Sequence, residues 1–281
     1  MTMAIEVRGL RKRYGDVCAV DGIDFRIRCG EVFALLGPNG AGKTTTVEVV
    51  AGFRRRDAGT VVVLGEDPQR AGIGWRRGIG VVFQDVADAA ELTVIEMLQH
   101  FATYYPGAWD PGEVLDLVGL RDKERSRVRT LSGGQRRRLD VAVGVIGRPR
   151  LLFLDEPTTG FDPQARRRFW ALIRSLATAG GTTILLTTHY LDEAEALADR
   201  VAVIAGGRIV ASGDPASFAG RATAEATVSW RDGDTPRTAR TADPGRLVAE
   251  LTARHRGTPE GLTVTRPTLE DVYLSLIGGT K

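Results

Sequence analysis

The sequence predicts an α/β protein whose core is a parallel sheet with right-handed crossovers. Three observations carry this. An apolar run, Glu31-Val32-Phe33-Ala34-Leu35-Leu36, reads as a strand buried on both faces; it feeds a glycine-rich loop and then a helical pattern. Further apolar strand patterns at residues 151–155, 183–187 and 200–204 alternate with helical patterns at 163–179 and 191–198. Such alternation is what a parallel sheet with crossover helices requires. The third observation is size: 281 residues, 43% of them hydrophobic, suffice for one full core and a small second domain.

The elements follow in chain order. Residues 5–10 and 23–28 alternate apolar with polar, which predicts an antiparallel sheet with one wet face. The helix after the glycine-rich loop runs from Gly42 to about Ala51, and residues 61–64 and 80–83 read as strands. From about Thr93 the pattern turns helical, with Val94, Met97, Leu98 and Phe101 at helical spacing and then Val114, Leu115, Leu117 and Val118. This block, residues 85–147, reads as an insertion projecting from the sheet. A boundary falls near Ser212-Gly213-Asp214-Pro215. Beyond it, short strands near 226–230 and 262–265 and a helix near 247–255 predict a small α+β appendage, with residues 231–236 as a turn-rich break. Residues 267–277 close the chain as an amphipathic helix with Thr268 at its N-cap. The chain therefore divides into residues 1–215 and 216–281.

A net charge of +3 with pI near 9.1 is too weak a basic excess to argue for nucleic acid, where cations should cluster on one face. The tryptophans Trp75, Trp109, Trp170 and Trp230 are too scattered to form a stacking platform for single strands. Cys18 and Cys29 fit no metal spacing and no disulfide framework, and the start Met1-Thr2-Met3-Ala4 carries no secretory leader; both point to a reducing cytoplasm. No apolar run approaches the ~20 residues that cross a bilayer, so a membrane role would come through a partner. Only Lys12, Lys43, Lys123 and Lys281 are lysines among 38 basic residues, so Lys43 stands out in its loop.

That loop, Gly37-Pro38-Asn39-Gly40-Ala41-Gly42-Lys43-Thr44, matches G-x-x-x-x-G-K-T between a strand and a helix. Its backbone N–H groups can cradle phosphate oxygens, and the helix N-terminus adds its positive end. Lys43 should reach the β/γ-phosphates and Thr44 should offer its hydroxyl to Mg²⁺. The pattern predicts a bound nucleoside triphosphate. At the end of the apolar run 151–154 stand Asp155 and Glu156, at the sheet edge where open α/β folds bind ligands. Asp155 is the expected magnesium partner and Glu156 the expected base for an attacking water.

Between these motifs lies Leu131-Ser132-Gly133-Gly134-Gln135, opening a helix that continues through Arg136, Arg137 and Arg138. A hydroxyl and free N–H groups at a helix start make a second anion site. This pentapeptide resembles the signature of ABC-type ATPases. The resemblance, which covers roughly residues 5–215, implies a P-loop ABC ATPase fold: a RecA-like parallel core, an antiparallel β subdomain, a helical signature subdomain and here a small C-terminal α+β appendage. It implies ATP and Mg²⁺ as cofactors, with nucleotide contacts extending to Thr45. It also implies a homodimer in which Ser132, Gly133, Gly134 and Gln135 serve the ATP of the other subunit.

Other positions carry over from the resemblance one at a time. Tyr14 is similar to the aromatic residue that stacks on adenine, a favourable contact between two flat faces. Gln84 resembles the glutamine that contacts Mg²⁺ or the attacking water and senses the membrane partner. Asp162, in Thr159-Gly160-Phe161-Asp162, is similar to the D-loop aspartate of the dimer seam, although Phe161 stands where leucine is more usual. His189 resembles the switch histidine that bonds the γ-phosphate. The tail, residues 267–277, is similar to that of daunorubicin-resistance-type exporter ATPases. The resemblance implies a separate transmembrane permease, docked on about residues 85–105, and a place on the cytoplasmic face of the cell membrane. Export of drug, antibiotic or lipid-like cargo is the leading expectation. Import, or a soluble ABC-type ATPase acting on ribosomes or DNA, stays as the alternative. Against the soluble class stand a single cassette and fewer than 90 residues between Thr44 and Leu131, too few for a long coiled coil.

Overall fold

The structure, a computed structural model, describes residues 2–83, 91–218, 225–255, 257–265 and 268–278. Two long strands, β1 (Met3–Tyr14) and β2 (Val17–Arg28), pair antiparallel, and β4 (Ala58–Val63) adds to the other edge of β1. The period-two pattern has its expected result. Ile5, Val7, Ile23 and Ile27 are buried, while Arg8, Asp24 and Arg26 are exposed.

β3 (Val32–Leu36) lies inside a six-stranded sheet of order β5-β6-β7-β3-β8-β9. Its other members are β5 (Ile79–Val82), β6 (Leu151–Asp155), β7 (Thr183–Thr188), β8 (Arg200–Ala205) and β9 (Arg208–Gly213). The first five in that order run parallel. Every residue of β3, β6 and β7 is buried, the reason these strands read as continuous apolar runs. Because β6, β7 and β3 are parallel neighbours, the segments leaving their carboxyl ends share one edge of the sheet. That places Asp155 and Glu156, His189 and the glycine-rich loop together.

Helix α1 (Lys43–Val50) follows the loop, and α6 (Pro163–Gly180) and α7 (Leu191–Leu197) connect the later strands. Asp162 caps α6, accepting from the N–H groups of Gln164 and Ala165 at 2.9 Å each, and Pro163 takes the first turn, where its missing N–H costs nothing. The inserted block holds α3 (Val94–Ala102), α4 (Pro111–Leu117) and α5 (Gly133–Val145). Val94, Met97 and Leu98 turn inward as their spacing required.

Two elements of the first 215 residues escaped the pattern reading. Helix α2 (Ile73–Arg77) is five residues long and anchors itself by burying Trp75, whose indole N–H donates to Val63 O at 2.8 Å. β9 follows β8 through Gly206 and Gly207, whose φ values of 54° and 76° are those of a tight two-residue hairpin turn.

The chain forms two compact units, Met1–Val210 and Ala211–Lys281, the division falling within β9. The second unit has a three-stranded sheet of order β11-β10-β12, from β10 (Ala226–Asp232), β11 (Thr235–Thr241) and β12 (Thr263–Thr265). It also holds α8 (Pro244–Arg254) and α9 (Leu269–Gly278). The expected break at 231–236 is instead a hairpin. Only Gly233 and Asp234 connect the strands, and Pro236 is tolerated because β11 is an edge strand. Thr268 does cap α9: its Oγ1 accepts from the Asp271 N–H at 3.1 Å, and its own N–H donates back to Asp271 Oδ2 at 2.7 Å. No helix among the described residues is long and apolar enough to cross a membrane.

Candidate active site

The loop after β3 is shaped by contacts that only glycine permits. A Cβ on Gly37 would lie 2.3 Å from Ile204 O, and one on Gly42 would lie 2.3 Å from Ala19 O. Gly42 also holds φ at +102°, where L-residues are strained. The loop ends in Lys43, only 4% exposed. Its ammonium donates to Gly37 O at 2.8 Å and Pro38 O at 3.0 Å and pairs with Glu156 Oε1 at 3.0 Å. An ammonium has three donors, and these contacts use all of them. A phosphate reaching Lys43 therefore competes with the Glu156 carboxylate, the other anion at that ammonium.

Glu156 is the most constrained residue of the site. Its φ is +45°, a left-handed conformation that costs a non-glycine residue on the order of 1–3 kcal/mol and persists only where the surroundings enforce it. Its N–H donates to Thr187 Oγ1 at 3.0 Å and to Thr187 O at 3.2 Å. Its Oε2 lies 3.1 Å from His189 Nδ1. Burial raises the carboxyl pKa, but the hydrogen bond and charge of Lys43, with His189, reverse this and hold Glu156 below the usual carboxylate range. It is therefore ionised at neutral pH and able to accept a proton.

Asp155, 2% exposed, accepts a hydrogen bond from Thr187 Oγ1 at 2.5 Å. One threonine thus fixes both acids, the carboxylate of one and the peptide of the next. Asn39, Gly40, Lys43, Thr44, Thr45 and Glu156 line a single cavity of about 430 Å³. Thr44 lines this cavity and Asp155 does not, its carboxylate lying behind and bonded to Thr187; both carry hard oxygen donors of the kind that suit Mg²⁺, which keeps several waters and takes few protein ligands.

Ser132 caps α5 as its sequence required. Its Oγ accepts from Gln135 N–H at 3.3 Å while Gln135 Oε1 accepts from Ser132 N–H at 2.9 Å, a reciprocal capping box. A second cavity, of about 400 Å³, is lined by Ser132, Gly133, Gly134, Gln135, Asp162 and Arg168, among others. The two cavities share no lining residue. Asp162 joins the signature cavity, and its carboxyl is held below the usual range, first by the Ala165 N–H.

Tyr14 is not brought to the Lys43 cavity: it is 40% exposed at the end of β1, with the Arg54 guanidinium 5.2 Å from its ring centroid. Gln84 and the first part of the expected permease contact, 85–90, lie outside the described residues. The sequence reading passed over Thr187, hidden in an apolar strand, and Arg137, read as one of three helix arginines. Arg137 is 8% exposed, on the helical face that also buries Val141 and Val145. Helical spacing from those valines is the signal that could have marked it.

One turn on, Asp140 is also 8% exposed and lies 3.8 Å from Arg137. Burial pushes its carboxyl up to about 6, against the pull of Arg137. A carboxyl raised in the folded state binds protons that the unfolded state has released. Its ionisation therefore costs stability as pH rises from about 4 through 6, and the cost is full above that window. In melting curves across pH, Asp140→Asn is expected to remove this component, so that the variant gains on the wild type between pH 4 and 7. A parallel pair of curves would contradict the assignment.

The ABC transporter family profile matches residues 20–159. The daunorubicin/doxorubicin resistance ATP-binding protein DrrA of Streptomyces peucetius is 40% identical, with 99% of this chain and 93% of that protein aligned. The Nod factor export ATP-binding protein I of Ralstonia nicotianae is 48% identical over 76% of this chain and 68% of its own. Among solved structures, cbiO1 of Clostridium perfringens, part of the ABC transporter complex cbiONQ, superposes with a TM-score of 0.69 at 29% identity, covering 77% of this chain and 90% of that one.

Proposed function

This chain belongs to the ATP-binding proteins of ABC transporters, and we propose that two copies sandwich two ATP molecules head to tail. Each ATP is held by one copy's phosphate loop and by the Ser132 helix start of the other. The chain binds and hydrolyses ATP and energises an exporter. The observation that carries the dimer is the separation of the two anion-ready cavities, each with one complete set of groups and no residue in common. A site needing both is completed by a second copy of the chain.

Within each composite site, Lys43 and the N–H groups of the loop from Asn39 to Thr45 hold the phosphates. Glu156 takes the proton of the attacking water, and His189, beside Glu156, bonds the γ-phosphate. Thr44, Asp155 and Gln84 are the residues that would hold Mg²⁺, which would neutralise charge on the phosphates. Asp162 lies at the dimer seam. Tyr14 stacks on adenine once its ring is free of Arg54. Residues 1–215 form the ATP-binding domain and 216–281 an accessory one.

ATP favours the closed pair because only closure presents the second anion site to it, and hydrolysis removes that preference. The stroke is delivered to a separate transmembrane permease at the cytoplasmic face of the membrane. The daunorubicin/doxorubicin-resistance relative supports a drug or antibiotic cargo, and the Nod factor export relative supports the outward direction; a lipid-like cargo is the other candidate. Purifying the tagged full chain from detergent-solubilised membranes tests this. A co-purifying protein with several membrane spans is expected; a ribosome or DNA complex in its place would overturn it.

A further inference from the structure

Arg137 has no part in the roles above, yet its buried guanidinium reaches the site from behind. Its Nη2 donates to Asp155 O at 2.7 Å and its Nε to Pro157 O at 3.1 Å. A third donor, Nη1, bonds Phe83 O, the last described carbonyl of the segment leading to Gln84. The first two carbonyls flank Glu156, the residue held at φ +45°. The Asp155–Glu156 peptide is thus gripped at both ends: its oxygen by Arg137 of α5, its N–H by Thr187 of β7. A guanidinium is a rigid planar fork of five donors, suited to fixing several acceptors at once; an ammonium is a point charge without that shape.

We propose that Arg137 is the positioning residue for Glu156, clamping the carbonyls on either side of it so that its carboxylate stays aimed into the Lys43 cavity. Arg137 sits five residues beyond Ser132 on the same helix, so the element that addresses the other subunit's ATP also holds this subunit's base. The inference rests on Glu156 being the base.

The test uses the full chain with Arg137→Gln and Arg137→Lys, each alone and combined with Glu156→Gln. Steady-state hydrolysis, ATP binding and melting temperature are measured for each. Arg137→Gln is expected to lower kcat by about 100-fold while KM and ATP affinity stay within about threefold, the mark of a displaced base rather than a damaged binding site. Arg137→Lys should retain an intermediate kcat, and it carries the test if the glutamine variant does not fold. In the Glu156→Gln background either substitution should change the residual rate less than about twofold, since the group it positions is already gone. A wild-type kcat in both variants, or a loss that repeats in full in the Glu156→Gln background, would overturn the clamp. Wild-type turnover in Glu156→Gln alone would remove the premise instead, and the two failures are distinct.

Discussion

Glu156→Gln binds ATP at least as tightly as the wild type and loses turnover by about 10²- to 10⁴-fold, the range expected when a positioned general base is removed. The substitution conserves shape, so the left-handed backbone at this position and the Thr187 contacts to its N–H are unaffected. What disappears is a proton acceptor and a negative charge. The amide no longer pairs with Lys43 at 3.0 Å, so phosphate meets a less occupied ammonium, and affinity should hold or rise. The cost falls on the protein without nucleotide. Breaking a buried pair leaves Lys43 with an uncompensated charge, so Glu156→Gln should melt lower until ATP is added. Isothermal binding, single-turnover hydrolysis and melting with and without ATP separate these effects. Wild-type turnover would remove Glu156 from the mechanism.

Lys43→Ala is expected to lose ATP binding outright at physiological concentrations. Truncating one partner of a buried, hydrogen-bonded charge pair costs about 2–5 kcal/mol, or roughly 30- to several-thousand-fold in affinity. Here the ammonium is 4% exposed and serves two carbonyls and a carboxylate. Its loss also leaves Glu156 with His189 but without its stronger cationic partner, at a depth where burial already raises its pKa. The carboxyl should then titrate higher than in the wild type. Binding within a few-fold of wild type would show that the loop backbone alone holds the phosphates.

The parts of the site written in contiguous residues were legible from the sequence. Gly37 and Gly42 declare themselves because a Cβ at either would strike a carbonyl, and β6 ran apolar straight to Asp155 because both its faces are covered. Ser132 and Gln135 stand at capping-box spacing, and the structure closes that box. What was hidden depends on distant pairing. Thr187 reads as a minor interruption in an apolar strand until β7 lies beside β6 and its hydroxyl meets Asp155. Arg137 is one of three arginines in a row, and only docking of α5 shows which of them is buried. β11 was lost because Pro236 and the polar run around it argue against a strand, a rule that lapses at a sheet edge. Tyr14 had the right residue type for stacking, but chain position could not reveal Arg54 beside its ring.

The proposed dimer requires that one chain hold two half-sites and no whole one. Mixing full-length Lys43→Ala and Ser132→Arg proteins, each inactive alone, measures this directly in an ATP hydrolysis assay. In a mixed dimer both lesions fall on one composite site and the other is whole, so equal mixing leaves about a quarter of all sites intact. Hydrolysis is expected to return on mixing and to rise with the fraction of mixed dimer. If no activity returns although mixed dimers form, the ATPase site is built within a single chain.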